Sequence, residues 1–379
     1  MLYSVSIVRR AISLHISLSS YTMTDNIVFA TGTESMDELP KLKFAVIGID
    51  HRHVYDQVRG LLDIGAECAG WWTGPSPTTE KGFVERFPDI PRVEDRRRLL
   101  EDPSIHLIIC AAVPRDRAGF AVEAMWHGKD FMADKPGVTT FEQLEQVRRA
   151  QHETGRIFSV NFTEHFEVRA VTRATELVRA GAIGKVLQTV GLGPHRLNRH
   201  TRPAWFFDEQ AYGGILVDIA SHQIEQFLHF TGSDDATILM SRYGNLAHPE
   251  DPGLQDFGEI LLSHGSASGY IRVDWFTPDG LPTWGDGRLT ILGTEGYIEL
   301  RKYVDIAGRP AKDHLFLVNN EGTRYIDCSQ DALPYYSDLR RDIFERTETA
   351  MRQSHCFKVC ELALQAQAVA RRIDNKDDK

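Results

Sequence analysis

Phe44-Ala45-Val46-Ile47-Gly48-Ile49-Asp50-His51-Arg52-His53 opens the stretch whose reading decides the fold. Phe44 to Ile47 is apolar without alternation, the habit of a strand buried on both faces in a parallel sheet. Gly48 ends that strand, and a helix is expected from about Val54 to Asp63. Further along, strands are expected at Glu67–Trp72, Leu107–Ala112, Phe131–Ala133 and Ile157–Val160. Helices are expected near Thr79–Phe87, Arg96–Glu101, Asp116–His127 and Phe141–Thr154. Strands alternating with helices build a doubly wound parallel sheet with right-handed crossovers, an α/β fold.

Beyond Asn161 the pattern changes. A helix from about Val168 to Ala180 stops at Gly181, a good terminator, and Lys185–Leu192 opens a second, mainly antiparallel sheet. Its further strands are expected at Thr237–Arg242, Phe257–Ser263, Ala267–Trp275, Arg288–Leu292, Tyr297–Arg301 and Leu315–Val318, with one last helix from Tyr336 to about Arg372. The division is therefore 41–160 for the parallel-sheet domain, 161–335 for an α+β domain with a large open sheet, and 336–379 for a C-terminal helix and tail. Residues 1–40 read as a disordered or mis-called extension: Arg9, Arg10 and many serines precede the first acid, Asp25, and Met23 and Met36 offer later starts. Asp374 to Lys379 reads as a frayed end. An open sheet of this size needs its outer face covered, which points to a homodimer or homotetramer formed through it.

A chain of 379 residues with 42% apolar side chains suits two domains with sizeable cores. Its net charge of −10 argues against nucleic acid as a partner. Five scattered cysteines suggest reduced thiols and a cytoplasmic protein, and no apolar run approaches a membrane span.

Two stretches carry chemistry. In Gly213-Gly214-Ile215-Leu216-Val217-Asp218-Ile219-Ala220-Ser221-His222, an acid and a histidine stand four apart within an apolar run. On one helix they would share a face, and a carboxylate beside an imidazole suits a general acid/base. The other is Asp134-Lys135-Pro136-Gly137, where Lys135 ends a parallel strand, the place where such sheets bind ligands.

Together these stretches resemble the glucose–fructose oxidoreductase / inositol dehydrogenase (Gfo/Idh/MocA) family. Its members carry Glu-Lys-Pro after the fifth strand, here Asp134-Lys135-Pro136, and Gly-Gly, Asp, three residues and His, here Gly213, Gly214, Asp218 and His222. The resemblance implies an N-terminal Rossmann domain binding NAD or NADP, and a small-molecule substrate. It places cofactor contacts at Gly48, Ile49, Asp50, His51, Arg52 and His53, at Thr73 and Ala112, and at Asp134, Lys135 and Pro136. Lys135, Asp218 and His222 would be catalytic.

The chain departs from the usual pattern at the phosphate turn. Where Gly-x-Gly-x-x-Gly is standard, only Gly48 remains, and Asp50 sets a negative charge near the expected pyrophosphate. No acid follows the second strand at Thr73 for a ribose hydroxyl, so NAD and NADP stay open. His51-x-His53 lacks an evident third ligand, and no metal is expected. The loop from Gly193 to Trp205 is rich in donors, and with His165 it supplies the expected substrate contacts: His195, Arg196, Asn198, Arg202 and Trp205. The expected reaction is hydride transfer between a nicotinamide and a hydroxyl-bearing carbon of a sugar, inositol or related polyol. The alternatives are a non-catalytic dinucleotide-binding regulator and a redox-assisted glycoside hydrolase or lyase.

Overall fold

The structure, a computed structural model, describes residues 39–75 and 77–373; the expected N-terminal extension, but for its last residues, and the frayed tail fall outside them. The first half alternates β1 (Lys43–Ile47), α1 (Val54–Asp63), β2 (Glu67–Trp72), α2 (Glu80–Arg86), α3 (Arg97–Leu100), β3 (Leu107–Cys110), α4 (Pro114–Trp126), β4 (Asp130–Asp134), α5 (Phe141–Thr154) and β5 (Phe158–Asn161). Its five strands are all parallel, in the order β2-β1-β3-β4-β5. The chain reverses direction across the sheet between β1 and β3, so their carboxyl ends form the crevice where ligands enter such folds. The apolar run read from the sequence is the centre of that sheet: Phe44, Ala45 and Val46 are fully buried.

The second half runs through α6 (Thr163–Phe166), α7 (Arg169–Arg179), β6 (Val186–Pro194), α8 (Glu209–Tyr212), α9 (Ile215–Asp218) and α10 (Ala220–Thr231). Then come β7 (Thr237–Gly244), β8 (Phe257–His264), β9 (Ala267–Asp274), β10 (Arg288–Gly293), β11 (Gly296–Arg301), β12 (His314–Asn319) and β13 (Gly322–Asp327). The chain closes with α11 (Tyr335–Glu345), α12 (Gln353–Ala368) and the short β14 (Arg371–Arg372). Nine strands form one sheet, β13-β12-β11-β10-β6-β9-β8-β7-β14, in which only β6–β9 and β7–β14 are parallel. Helix α10 packs on β6 and β9, and α7 covers the β11–β12 side with an apolar cluster of Val171, Ile291, Ile298, Leu300 and Leu317. The opposite face leaves Leu292, Tyr297 and Tyr325 about 40% exposed.

Three expectations change. The last helix is two, because Arg346 takes a left-handed backbone (φ 56°) and reaches Asp130 at 2.8 Å. The Asp342 carboxylate then accepts N–H bonds from Thr349 and Ala350, at 2.7 and 2.8 Å, which fixes a turn before α12. Helix α12 returns to the first sheet: Phe357 stacks on Phe158, itself stacked on Phe131. The apolar run after Gly214 is also two helices, broken at Ile219, so Asp218 ends α9 and His222 lies in the first turn of α10. Finally, β13 adds an edge strand beyond those expected; its sequence, Gly-Thr-Arg-Tyr-Ile-Asp, is mostly exposed and lacks an apolar face.

Candidate active site

Strand β4 delivers Asp134 and Lys135 to the carboxyl end of the sheet, where the Lys135–Pro136 peptide is cis. Arg117, in the second turn of α4, is fully buried beneath them. Its guanidinium donates to the carbonyls of Ala112 (2.7 Å), Asp134 (2.8 Å) and Pro136 (3.0 Å), and to Asp134 Oδ2 (3.1 Å). It satisfies carbonyls that would otherwise be stranded in the interior. The sequence reading missed it, since nothing in Pro-Arg-Asp-Arg distinguishes Arg117 from the half-exposed Arg115.

Asp134 is the meeting point for the altered phosphate turn. His53 Nδ1 lies 2.8 Å from its Oδ1, and His51 Nδ1 lies 2.9 Å from Oδ2 without the alignment of a hydrogen bond. Burial pushes the Asp134 carboxyl up, but His53, Arg117 and His51 outweigh it and hold the group well below the usual range. Asp134 thus supplies the third group that His51-x-His53 lacked in the sequence, all ligand atoms lying within 4.8 Å of one another. The Arg117 guanidinium on Asp134 Oδ2 is already a fixed cation there, which opposes a metal ion.

Gly48 enters the turn at φ 84°, and a Cβ there would lie 2.5 Å from the Ala112 Cβ, so this glycine is needed for both backbone and space. Ile49 is part of the core, and its carbonyl accepts from the Thr79 hydroxyl. Asp50 lies partly buried; burial pushes its carboxyl up, while Arg117 and the N–H groups of Asp50 and Val113 act the other way. Arg52 is exposed, and Thr73, just beyond β2, keeps a buried hydroxyl with no partner. These positions fit a dinucleotide in part: a close-approach glycine, a free hydroxyl and the start of a ten-residue helix are present, against one unfavourable carboxylate.

Lys135 meets the second half of the chain directly. Its Nζ lies 3.0 Å from Asp218 Oδ1, with both residues buried. Burial pushes the Asp218 carboxyl up, but Lys135, helped by His51 and Arg117, outweighs it and brings the group below its ordinary value, so the acid stays ionised. Asp218 therefore pairs with Lys135 and not with His222; the break at Ile219 puts the two on separate helices, so they do not share one helical face as the sequence suggests. His222 is 1% exposed, sits edge-on to Phe162 and keeps an Nδ1 with no partner. Burial first, then Lys135 and Lys302, push its imidazole down to about 3 against the opposing effect of Glu164.

The donor-rich loop divides. His195 turns inward against Trp275 and Trp284 and donates Nδ1–H to the Gly193 carbonyl at 3.0 Å, leaving Nε2 as an acceptor. Burial takes it to about 4, within the fields of Glu164, Lys135 and Asp218. Arg202 stacks on Phe206 and Trp275, donates to the Leu197 carbonyl at 2.8 Å, and feels both Asp218 and Arg52. Trp205 lies 6.3 Å from the His51 ring. Arg196 instead ties down the carbonyls of Pro278 and Leu281, and Asn198 is exposed. His165 faces a different cavity altogether. Below His222 lies a network absent from the sequence reading: Lys302 Nζ reaches Glu164 Oε2 at 2.7 Å and Gln226 at 3.0 Å, while Gln223 donates to the same Glu164 oxygen at 3.0 Å. Lys302 is fully buried, and Glu164 Oε1 has no partner.

His51, His195 and His222 are all held neutral below the ordinary histidine value of 6.5. The unfolded chain takes up their protons first, so stability is complete above about pH 6.5 and falls as pH drops toward about 4 and 3. Each imidazole contributes at most roughly 1.4 kcal/mol per pH unit across that window. Thermal unfolding from neutral to mildly acidic pH should show a clear fall in Tm; a flat profile would contradict the neutral assignments.

Residues 42–162 match the oxidoreductase family model described as an NAD-binding Rossmann fold, and residues 171–299 match the GFO/IDH/MocA C-terminal domain. A protein of Erwinia carotovora atroseptica SCRI1043, known from its crystal structure, is 48% identical over 88% of this chain and 100% of its own, with a TM-score of 0.85. This chain belongs to the Gfo/Idh/MocA family. Among its curated Gfo/Idh/MocA relatives, scyllo-inositol 2-dehydrogenase (NADP(+)) of Bacillus subtilis is 25% identical, over 52% of this chain and 54% of its own. Levoglucosan dehydrogenase of Pseudarthrobacter phenanthrenivorans is 26% identical, over 44% of this chain and 46% of its own. The chain spans about half the length of these two relatives.

Proposed function

We propose that the protein is an NAD(P)-dependent dehydrogenase acting on a hydroxyl-bearing carbon of an inositol or sugar derivative. The observation that carries this reading is the Lys135–Asp218 pair, which joins the end of the first sheet to the second half of the chain within the field of a neutral, unpartnered His222. Gly48, Thr73 and the start of α1 would hold the dinucleotide, which when bound supplies the hydride acceptor or donor. The chain's own residues manage the proton. His222, neutral and lacking a partner at Nδ1, takes the substrate hydroxyl proton in oxidation and returns it in reduction. Lys135 faces the same oxygen and stabilises the alkoxide charge that develops there. Asp218 keeps the Lys135 ammonium in place, and His195 offers Nε2 to a further hydroxyl. The inositol and levoglucosan activities of the two relatives support a ring polyol as substrate class.

Incubation with NAD⁺ or NADP⁺ and a panel of inositols, anhydrosugars and sugar acids, followed by absorbance of the reduced cofactor, tests the reading. Turnover with one of them is the expected result, and binding of dinucleotide without turnover of any would favour a regulator. Asp50→Gly should tighten dinucleotide binding, since it removes a carboxylate that competes for the Val113 and Asp50 N–H groups. A charge at a helix start is worth about 0.3–1 kcal/mol, or roughly two- to fivefold in Kd. Weaker binding in a fluorescence titration would mean that Asp50 itself contacts the cofactor.

A further inference from the structure

We propose that His165, Glu225 and His229 form a binding site for one divalent transition-metal ion of the zinc type, separate from the Lys135–Asp218 pair. Helix α10 carries His222 as well as two of these ligands. Glu225 and His229 follow His222 by three and seven residues, about 4.5 and 10.5 Å along the axis. Helix α6 brings His165 to them and α12 brings His355. All four line a cavity of about 560 Å³ that includes neither Lys135 nor His222.

The donor set is that of a transition metal. The ligand atoms of His165, Glu225 and His229 lie within 4.8 Å of one another. His165 Nδ1 is 2.9 and 3.0 Å from the two Glu225 oxygens. Around tetrahedral zinc, with metal–ligand bonds near 2.1 Å, ligands stand roughly 3.4 Å apart. His165 Nδ1 and the Glu225 oxygens stand about 0.5 Å inside that value, so small side-chain adjustments that part them make room for the ion. Two imidazoles and one carboxylate suit zinc and its neighbours; calcium and magnesium prefer all-oxygen sites.

The surrounding groups hold these ligands as partners around a metal do. Thr175 has one hydroxyl proton, which goes to the Val171 carbonyl at 2.9 Å. His229 Nε2, 2.8 Å from the same hydroxyl, must therefore donate, and the Nδ1 lone pair is left for a metal. His355 Nε2 lies 3.1 Å from Glu225 Oε1 and orients the carboxylate. Glu225 is 1% exposed, so a buried carboxylate faces three imidazoles in a space large enough to admit an ion and a water molecule.

The test uses the full chain, stripped with a chelator, re-equilibrated with Zn²⁺ or Co²⁺ and analysed by elemental analysis and by the visible absorption of bound Co²⁺. About one equivalent per chain is expected. His229→Gln and His165→Gln should each lose it, with melting temperatures of the stripped proteins confirming that both variants fold. His355→Gln should weaken affinity by roughly 10–100-fold, the usual effect of removing a group that orients a ligand. His53→Ala should keep the full equivalent, which separates this site from the His51–His53–Asp134 cluster. No bound metal at micromolar free Zn²⁺, full retention in a folded His229→Gln, or loss in His53→Ala would each overturn the assignment.

Discussion

Lys135→Ala is expected to lose turnover by at least about 10²-fold and to lose roughly 3–5 kcal/mol of stability in the same protein. The two effects have different origins. The ammonium sits 3.0 Å from Asp218 Oδ1, and the two residues are 5% and 8% exposed. Truncating the lysine leaves an ionised carboxylate in the interior without its partner, and an uncompensated buried charge is what makes breaking such a pair expensive. The catalytic loss comes instead from removing the cation beside the substrate oxygen. A double variant, Lys135→Met with Asp218→Leu, separates them: replacing both charges by apolar groups should restore much of the stability, while turnover stays absent. Denaturant unfolding and steady-state kinetics on the three proteins make the comparison. A Lys135→Ala protein that turns over at the native rate would remove Lys135 from the chemistry, whatever its stability.

That pair also shows what was legible in the sequence. The parallel sheet could be read because Phe44 to Ile47 is uniformly apolar and Gly48 ends the run, local facts visible in a single strand. Lys135, Asp218 and His222 could each be singled out by their place after a strand or in an apolar run. Which of them pair could not, because the answer depends on the break at Ile219, where no proline or glycine marks the end of α9. Residues whose role depends on distant partners were invisible for a related reason. Arg117 looks like any helix arginine until its guanidinium is seen among the Ala112 carbonyl after β3 and the carbonyls and carboxylate at the end of β4. Glu164 and Lys302 are separated by 138 residues, and only the fold makes one buried bond of them. The donor-rich loop misled in the opposite direction: composition marks Arg196 and Asn198 as ligands, but one ties the loop to the carbonyls of Pro278 and Leu281 and the other faces solvent.

His222→Ala should reduce kcat by about 10²–10⁴-fold, the usual contribution of a positioned general base, with little change in dinucleotide affinity. The reason lies in the environment of the ring. Burial, reinforced by Lys135 and Lys302, takes the imidazole to about 3, so it is unprotonated throughout the neutral range. A base is active above its pKa, and an ordinary histidine would give the oxidation rate an acid limb near 6.5. Here that limb is expected far lower, and kcat should stay level as pH falls through 6.5 until unfolding intervenes. Low basicity has a cost, since the ring holds a proton weakly; the Lys135 ammonium offsets this by favouring the alkoxide on the substrate side. Glu164, buried and lacking a partner at Oε1, works the other way and raises the imidazole's affinity for the proton. Glu164→Gln should therefore slow oxidation less than His222→Ala does, by making the base weaker without removing it. The deciding measurement is the pH dependence of kcat in the wild type and both variants. An acid limb near 6.5 that persists unchanged in His222→Ala would identify another histidine as the base, and His195, with its free Nε2, would be the one to test next.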